Sequence, residues 1–501
     1  MKSRFSTLIP AMALFTALAI PVRLAAQNKA EHNSNHKVHH YRLVDLGTFG
    51  GPQSWAPGVG EGPGGALSNA GGVIGAANTP DSNPNYSYPC NPFGSYTCLY
   101  FGTPDLFVEH ASRFENGALT DLGVLPGGYN SLVAWISGNG TFVGSSENGV
   151  IDPVNGWPEI HAVLWKDGQI RDLGTLEGGN ESFAGGVNNR GQVTGASFDA
   201  ANNTRAFLWT EGHGLQDLGT LGACCAIAGT INELGQISGE SGLCDTCNQD
   251  AFFWEQGHML RIPDFGGPIS FHEDLNNRGQ VVGQSDLPGG ANAHAFLWDK
   301  KNGVTDLGTL GGSGSVARWI NDAGDVVGGG STPNDQAFHA TLWRHRDLKI
   351  IDLGTVDGDA CSVAQVINSE SQVVGLSDTK CDGTVLHAFL WEKGGPAVDL
   401  NTLVSHGSGL QLTYATDIND RGEIAGEAIT SNGDNHGFLL IPCDENHPGV
   451  EGCDYSLVDA PAVASRPSPV AGDISSHTSP QSLMRRMSRH HFPGAAIGPK
   501  N

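Results

Sequence analysis

The fold is decided by residues 294–312, which read HAFLWDKKNGVTDLGTLGG. Close copies of this stretch begin at His387, with HAFLWEKGGPAVDL, and at Ala206, with AFLWTEGHGLQDLGTLG. Each copy joins an aromatic, apolar run to a glycine-containing turn and then to a second short run. That order predicts two short antiparallel strands joined by a tight turn. A chain that repeats it is expected to be an array of similar β units.

Three signatures recur in a fixed order and divide the chain into eight units. The first is Asp-Leu-Gly or a near copy, starting at Asp45, Asp121, Asp172, Asp217, Asp264, Asp306, Asp352 and Asp399. The second is Asn-x-x-Gly-x-Val-x-Gly, opened by Ser68, Ser137, Asn188, Asn232, Asn276, Asn321, Asn368 and Asn419. The third is a loosely kept His-Ala-Phe-Leu-Trp, ending at Phe114, Trp165, Trp209, Trp254, Trp298, Trp343, Trp391 and Leu440. Periods of about 40–50 residues are typical of propellers and related arrays.

Each unit contains four short strand-like runs. In one unit they are VARWIN (316–321), DVVGGG (325–330), HATLW (339–343) and KIIDLGTV (349–356). The Asn-x-x-Gly phrase predicts a type I turn, because Asn accepts a local hydrogen bond and Gly tolerates positive φ. The Gly that ends the second run is expected to let a neighbouring backbone or ring come close.

These units predict an all-β, eight-bladed β-propeller with four antiparallel strands per blade. A β-solenoid is the alternative, but its coils are usually shorter and contain fewer turns. The last unit lacks a fourth strand, and the run YRLVDLG (41–47) has no unit of its own. We therefore expect this N-terminal strand to complete the last blade beside HGFLLI (436–441) and to close the ring, which leaves no strand edge open.

The sequence resembles the HAF-repeat family of extracellular repeat proteins, which is named after His-Ala-Phe. The residues that carry the resemblance are 294–298, 387–391 and the phrase DLGTLGG at 306–312, and it extends over roughly residues 41–441. It implies propeller-like repeats and an extracellular location, and it brings no activity with it. Arg205 and Asp250 depart from the family pattern at the His position, and Leu440 departs at the Trp position.

The two ends of the chain differ in composition from the repeats. Residues 1–26 have a charged start, an apolar core and a small-residue site before Gln27, which predicts a cleaved bacterial-type signal peptide and a secreted protein, extracellular or periplasmic. A membrane anchor is the alternative, but the apolar run is short for a bilayer span. We expect a disordered linker at 27–40, the propeller at 41–455 and a disordered Pro- and Ser-rich tail at 456–501.

The composition limits the class of partner. The formal net charge of −25 disfavours nucleic acid and anionic lipid surfaces. Outside the N-terminal segment, no run of residues predicts a membrane span. We therefore expect a monomer whose partner is an extracellular glycan, peptide or protein.

Ten cysteines in an exported chain indicate disulfides. Cys225 and Cys361 precede the first strands of their units, and Cys244 and Cys381 follow the second strands of the same units. Pairing within each unit would therefore connect neighbouring loops on one face of the ring. We predict that the bridges pair Cys361 with Cys381, Cys225 with Cys244, Cys224 with Cys247, Cys90 with Cys98 and Cys443 with Cys453. A zinc site made from Cys224, Cys225, Cys244 and Cys247 is the alternative.

A long insertion in the first unit, residues 76–109, carries several aromatic residues. Aromatic residues beside the mouth of a propeller suit the binding of a sugar or a peptide. The alternative is a loop that packs on itself and is pinned by a disulfide. The candidate ligand-binding residues are Tyr86, Tyr88 and Tyr96 in this insertion, together with Trp55 and Tyr129 in what we expect to be loops between blades.

We find no catalytic signature among the repeats. The recurring histidines would lie on different blades, so one metal ion could not gather them, and we expect structural hydrogen bonds instead. The recurring Asp of Asp-Leu-Gly is expected to act as a turn or edge acceptor. No cofactor is predicted; calcium at residues 357–359 is possible but lacks a full ligand loop. The sequence favours a secreted non-catalytic binding or scaffold module, and the alternative is a carbohydrate-active enzyme, a glycoside hydrolase or lyase, with acids at the propeller mouth.

Overall fold

The computed structural model describes residues 40–56, 65–85, 106–152, 156, 158–242, 249–347, 349–405, 409–451 and 453. These residues form eight separate four-stranded antiparallel sheets and two short 3₁₀ turns, Pro333–Asp335 and Leu400–Thr402. The predicted eight-bladed, all-β propeller is therefore confirmed. The predicted signal peptide, the linker up to residue 39 and the tail from residue 456 lie outside the described residues.

The first four blades follow chain order, each from an innermost to an outermost strand. Blade one contains β2 (Ser54–Trp55), β3 (Val73–Ser82), β4 (Phe107–Glu115) and β5 (Ala118–Asp121). Blade two contains β6 (Ser131–Ile136), β7 (Phe142–Ile151), β8 (Pro158–Lys166) and β9 (Gln169–Asp172). Blade three contains β10 (Ser182–Val187), β11 (Val193–Phe198), β12 (Thr204–Thr210) and β13 (Gly214–Asp217). Blade four contains β14 (Cys225–Ile231), β15 (Ile237–Gly242), β16 (Gln249–Glu255) and β17 (His258–Arg261).

The other four blades repeat this order until the last, which borrows a strand. Blade five contains β18 (Ser270–Leu275), β19 (Val281–Asp286), β20 (Ala293–Asp299) and β21 (Gly303–Asp306). Blade six contains β22 (Ser315–Ile320), β23 (Val326–Ser331), β24 (Phe338–Arg344) and β25 (Lys349–Gly354). Blade seven contains β26 (Cys361–Ile367), β27 (Val373–Asp378), β28 (Leu386–Trp391) and β29 (Val398–Asp399). Blade eight contains β30 (Leu410–Ile418), β31 (Ile424–Thr430), β32 (Asn435–Pro442) and β1 (Tyr41–Asp45).

The N-terminal strand closes the ring, as the sequence predicts. Strand β1 pairs antiparallel with β32, in a register that runs from Tyr41 opposite Pro442 to Asp45 opposite Phe438. The amide of Cys443 also donates to the carbonyl of His40, at 2.8 Å. Both ends of the repeat region therefore belong to one sheet, and no outer strand of blade eight is left without its neighbour.

Apolar layers between neighbouring blades hold the ring together. Between blades two and three, Val143 and Ala162 pack against Phe207 and Trp209, all buried. Equivalent clusters fill the other seams, and large buried side chains of this kind each contribute roughly 1.5–3 kcal/mol. The repeated Phe and Trp of the third signature thus pack between neighbouring blades.

The Gly near the middle of each second strand makes room for the first strand. A Cβ added at Gly195 would lie 1.9 Å from the carbonyl oxygen of Phe183 and 2.9 Å from the ring of Phe207. At Gly239 the same atom would lie 2.1 Å from the carbonyl of Ile227. The predicted reason for these glycines, close approach of a backbone or ring, is confirmed.

A belt of asparagine side chains links the blades at the face that carries the turns between first and second strands, which we name the turn face. Each Asn Nδ2 donates to the backbone carbonyl of the corresponding residue on the next blade. In Asn276 this bond reaches Asn321 at 3.1 Å. The same bond is made by Asn188, Asn232, Asn321, Asn368 and Asn419, and the last of them reaches Ser68 across the seam between blades eight and one.

Each belt asparagine also holds its own turn. The Oδ1 atom of Asn276 accepts from the amides of Arg278 and Gln280, at 3.0 and 3.1 Å. Blade two has Ser137 at this position, and there Asn139 makes the bond to the next blade, from its Nδ2 to the carbonyl of Asn189 at 2.7 Å. One side-chain type therefore shapes the turns and joins neighbouring blades.

The described part of the chain contains no helix with the length and apolarity that a membrane crossing requires.

Replacing a belt asparagine should destabilise the whole ring. Asn276→Ala removes the bond to blade six and leaves buried turn amides without an acceptor, which we expect to cost roughly 2–4 kcal/mol. Urea unfolding followed by circular dichroism would show a lower midpoint. Asn302→Ala is the control: Asn302 is exposed, its side chain donates to Asp299 of the same turn, and its loss should change the midpoint little. Equal midpoints for the two variants would contradict a structural role for the belt.

Candidate functional site

The recurring histidines are paired with the recurring aspartates. The Nδ1 atom of His161 lies 2.9 Å from a carboxylate oxygen of Asp172, on the neighbouring strand of the same blade. Identical pairs join His110 to Asp121, His294 to Asp306, His339 to Asp352 and His436 to Asp45. The first and third sequence signatures are thus two halves of one contact, and the prediction of structural hydrogen bonds is confirmed.

Two blades depart from this His–Asp pattern and keep the contact in another form. Arg205 replaces His in blade three, and its guanidinium lies 2.9 Å from Asp217. Asp250 replaces His in blade four, where Arg261 of the fourth strand lies 2.6 Å from it. In both blades opposite charges still face each other across strands three and four. In blade seven His387 bonds Asp359, an acid outside the first signature, at 2.9 Å.

Two of the predicted disulfides are present. Cys361 is bonded to Cys381, and Cys443 to Cys453. Cys225 is also in a disulfide, but its predicted partner Cys244 lies outside the described residues, as do Cys90, Cys98 and Cys247. The sulfur of Cys224 lies 3.2 Å from that of Cys225. The pairings of Cys224 with Cys247, Cys225 with Cys244 and Cys90 with Cys98 stay predictions.

The candidate aromatic residues are placed in two different environments. Tyr86, Tyr88 and Tyr96 lie outside the described residues. Trp55 lies in the innermost strand β2 of blade one, where it pairs with Ala76, and not in the loop that we expected. Its side chain is partly buried there. Tyr129 does lie in a loop between blades, after β5, and is 50% exposed.

A buried carboxylate gathers the loops around Tyr129. Glu147, which is 1% exposed, accepts from Asn130 at 2.7 Å and from Asn85 at 3.0 Å, and its second oxygen accepts from the backbone amide of Tyr129 at 2.8 Å. Three segments from blades one and two meet at this one side chain. They lie on the face opposite the turn face, which we name the loop face, because it carries the connections between second and third strands.

Four exposed apolar side chains belong to these segments. They are Leu106, Tyr129, Val150 and Ile151, which are 50–56% exposed, and we name them the blade 1–2 patch. The loops that carry them touch: a Cβ on Gly149 would lie 2.6 Å from the Cα of Gly127. Residues 86–105, which hold the predicted tyrosines, leave the described chain at Asn85 and rejoin it at Leu106. Sequence reasoning pointed to this region through its aromatic residues and missed the aliphatic ones.

A second candidate region lies on the axis of the ring. Trp135 of β6 and Trp319 of β22 stack with their ring centroids 6.0 Å apart and their planes 21° from parallel. Blades two and six are opposite each other in a ring of eight, so the two indoles meet across the axis. A Cβ on Gly65 would lie 2.7 Å from the indole of Trp135, so glycine there leaves room for the ring.

Blades five to eight also carry a network of buried charged and polar groups. The guanidinium of Arg318 lies 3.1 Å from a carboxylate oxygen of Glu273 in blade five, and it also hydrogen-bonds Tyr414 in blade eight. Burial lowers the pKa of Arg318, but Glu273 and Tyr414 raise it by more, so Arg318 stays charged. Burial raises the pKa of Tyr414 to about 12.

Two further polar residues complete this axial cluster. Glu427 pairs with Tyr414 across strands, and burial raises its pKa to about 8, against the lowering effect of a hydrogen bond from Asn435. Gln365 of β26 is fully buried, and neither atom of its side-chain amide meets a hydrogen-bond partner among the described residues. The cluster thus consists of Glu273, Arg318, Gln365, Tyr414 and Glu427.

Other acids near the axis serve the seams between blades. Asp274 accepts from the amide of Ile320 on the next blade at 3.1 Å, and Asp417 accepts from those of Ala66 and Leu67, at 3.0 and 2.9 Å. Burial raises the pKa of Asp274 to about 7 and that of Asp417 to about 6, and the amide bonds act against it. These two carboxyl groups hold neighbouring strands together. Among the described residues, no group of His, Cys, Asp and Glu side chains is arranged to hold a metal ion.

Comparison with solved structures finds other propellers at low similarity. The β-propeller domain of the trilobed protease from Pyrococcus furiosus is 11% identical, with a TM-score of 0.39 over 72% of this chain and 98% of that one. Dipeptidyl peptidase 4 from Porphyromonas gingivalis is 8% identical, with a TM-score of 0.41 over 77% of this chain and 65% of that one. A puromycin hydrolase is 12% identical, with a TM-score of 0.40 over 79% and 61%. At these values the likeness carries no argument about activity.

No protein-family model matches the chain, and no curated protein matches it. The resemblance to the HAF-repeat family stays a prediction.

The His–Asp contacts should give the protein an acid-sensitive stability. Burial raises the pKa of Asp172, but bonds from His161 and Gly174 lower it by more, so the net direction is down. A depressed pKa in the folded state contributes stability above about pH 3.8, which is lost as the pH falls through the folded value. Asp172→Asn should therefore lower the thermal midpoint at pH 6 and change it less at pH 3. Asp167→Asn, in an exposed turn, is the control; a difference between wild type and Asp172→Asn that does not shrink in acid would contradict this assignment.

Proposed function

We propose that this protein is a secreted, non-catalytic binding module that holds an apolar segment of an extracellular protein or peptide on the blade 1–2 patch. The observation that carries the proposal is the concentration of exposed apolar residues. Of the seven large apolar side chains that are exposed among the described residues, four lie in this patch. Exposed apolar residues that are gathered in one place mark interaction surfaces, whereas isolated ones are ordinary.

The chemistry of the patch favours a protein or peptide over a glycan. Three of its four residues, Leu106, Val150 and Ile151, are aliphatic, and aliphatic side chains pack well against other apolar side chains. Sugar recognition relies more on aromatic faces. The strongly acidic chain, with a net charge of −25, favours a partner whose apolar segment is flanked by neutral or basic residues.

The base of the patch is held in place before any partner binds. Glu147, Asn130 and Asn85 are all buried, and both asparagines donate to Glu147, which fixes the loops that carry Tyr129 and Val150. A surface that is ordered beforehand loses less conformational entropy on binding. The ring of blades serves as the rigid support.

Two observations support export. Cys361–Cys381 and Cys443–Cys453 are disulfides, and such bonds persist in oxidising compartments. The predicted signal peptide at 1–26 agrees with this location.

The patch can be tested with a peptide library displayed on phage and selected on the immobilised mature protein. We expect enriched peptides with an apolar core, and Ile151→Asp should weaken their binding at least tenfold, because a charge in an apolar contact is costly. Leu234→Asp, on the turn face of blade four, is the matched control at a site that is 63% exposed. Failure to enrich peptides, or equal losses in both variants, would contradict the proposed surface.

The non-catalytic part of the proposal has its own test. Incubation of the mature protein with a panel of polysaccharides should release no product. Release of oligosaccharides would favour the carbohydrate-active enzyme instead, and the axial carboxyl groups would then be the first residues to replace.

A further inference from the structure

The axial cluster is distinguished by the residues that occupy the bulges of the first strands. At the middle of the first strands of blades two to eight, the register shifts by a bulge. A bulge leaves one residue unpaired and redirects its side chain. Small residues occupy this place in several blades, but Glu273, Arg318 and Gln365 occupy it in blades five, six and seven.

The contacts of Arg318 with two other blades indicate that its side chain points to the axis. Arg318 lies in blade six, yet it bonds Glu273 in blade five and Tyr414 in blade eight. To reach both, the guanidinium must pass in front of the first strand of blade seven, where Gln365 is the bulged residue. Gln365 is thus the bulged residue of blade seven, which lies between the two blades that Arg318 and Tyr414 connect.

The side-chain amide of Gln365 is buried without hydrogen bonds among the described residues. Its side chain is 0% exposed, and both its amide oxygen and its amide nitrogen are without hydrogen bonds among the described residues. One carboxyl oxygen of Glu427 is also buried without a hydrogen bond in the described part of the chain. Buried polar atoms left without bonds each cost roughly 1–3 kcal/mol, so a protein keeps them where something else satisfies them. The partner must offer both a donor and an acceptor to one amide.

We propose that the axial cluster is a binding site for one neutral sugar unit, which hydrogen-bonds the Gln365 amide and Glu427 and lies beside the indoles of Trp135 and Trp319. Neighbouring hydroxyl groups of a sugar supply a donor and an acceptor at the spacing of a planar amide. The indoles stack on each other but are only partly buried, and their exposed parts supply an apolar surface for the C–H groups of a pyranose ring.

The charges of the cluster favour a neutral ligand. Arg318 and Glu273 form an ion pair and neutralise each other, with their side chains 6% and 1% exposed. Burial raises the pKa of Glu427 to about 8, which favours the uncharged form of this group at neutral pH. The site therefore carries no net charge, and a charged ligand would be buried there without a counter-ion. This site is separate from the blade 1–2 patch and does not depend on its function.

Tryptophan fluorescence of the mature protein tests this site. The probes are glucose, galactose, mannose and N-acetylglucosamine, with glucuronate and glucosamine as charged comparisons. We expect at least one neutral sugar to change the indole emission saturably at millimolar concentrations and to raise the thermal midpoint. No response to any neutral sugar, or an equal response to the charged sugars, would overturn the proposal.

Variants connect the signal to the cluster. Gln365→Leu removes the amide and keeps a similar volume, and because that amide has no bond partner in the described structure, the fold should tolerate the change. Sugar affinity should fall at least tenfold, the equivalent of about 1.4 kcal/mol. Ser238→Ala removes another buried group without a bond partner, in β15 of blade four, and should leave affinity unchanged.

A second variant covers the case in which Gln365→Leu does not fold, as judged by circular dichroism. Gln365→Met is unbranched like glutamine and should show the same loss of affinity. Undiminished binding by either folded variant would overturn the assignment of the site.

Discussion

The structure depends on the contact between one blade and the next. A single four-stranded sheet has two apolar faces and cannot bury both, so each blade needs a neighbour on either side. The contact has an apolar part, the layer of Phe, Trp, Val and Ala in each seam, and a directional part, the belt bond such as that from Asn276 to Asn321. The apolar layer supplies most of the free energy. The belt fixes the spacing between blades, because a hydrogen bond tolerates little change in distance.

The two candidate regions lie where this repeated contact is modified. In the blade 1–2 region, the buried carboxylate of Glu147 joins three segments of neighbouring blades. At the axis, Glu273, Arg318 and Gln365 stand where other blades carry small bulged residues. Repetition specifies the support, and the exceptions to it carry the chemistry that a ligand could recognise.

Much of the fold could be predicted from sequence because its signals are local and repeated. The turn glycines, the alternating runs and the shared phase of three motifs define the blades, and the unpartnered strand at 41–47 indicates how the ring closes. The Cys361–Cys381 bridge was predictable because both residues flank the same pair of strands. The axial cluster was not, since the meeting of Trp135 and Trp319 joins units four blades apart. A signal was present, because both tryptophans stand two residues before the turn that opens the second signature. Trp55 was misplaced because the second strand of its unit is far along the chain, so the short strand β2 reads as a loop.

The pairing of β1 with β32 sets the order in which the molecule can mature. Strand β1 is the first part of the ring to be synthesised, but it pairs with β32, which is the last. Its partner is therefore incomplete until residue 442 has been made. Contacts over so long a separation make the final step slow. Until then β32 presents a bare edge of polar backbone to any other extended chain. Nearly the whole chain must therefore be present before the ring can close, and chaperones that shield strand edges would act on the nearly complete chain.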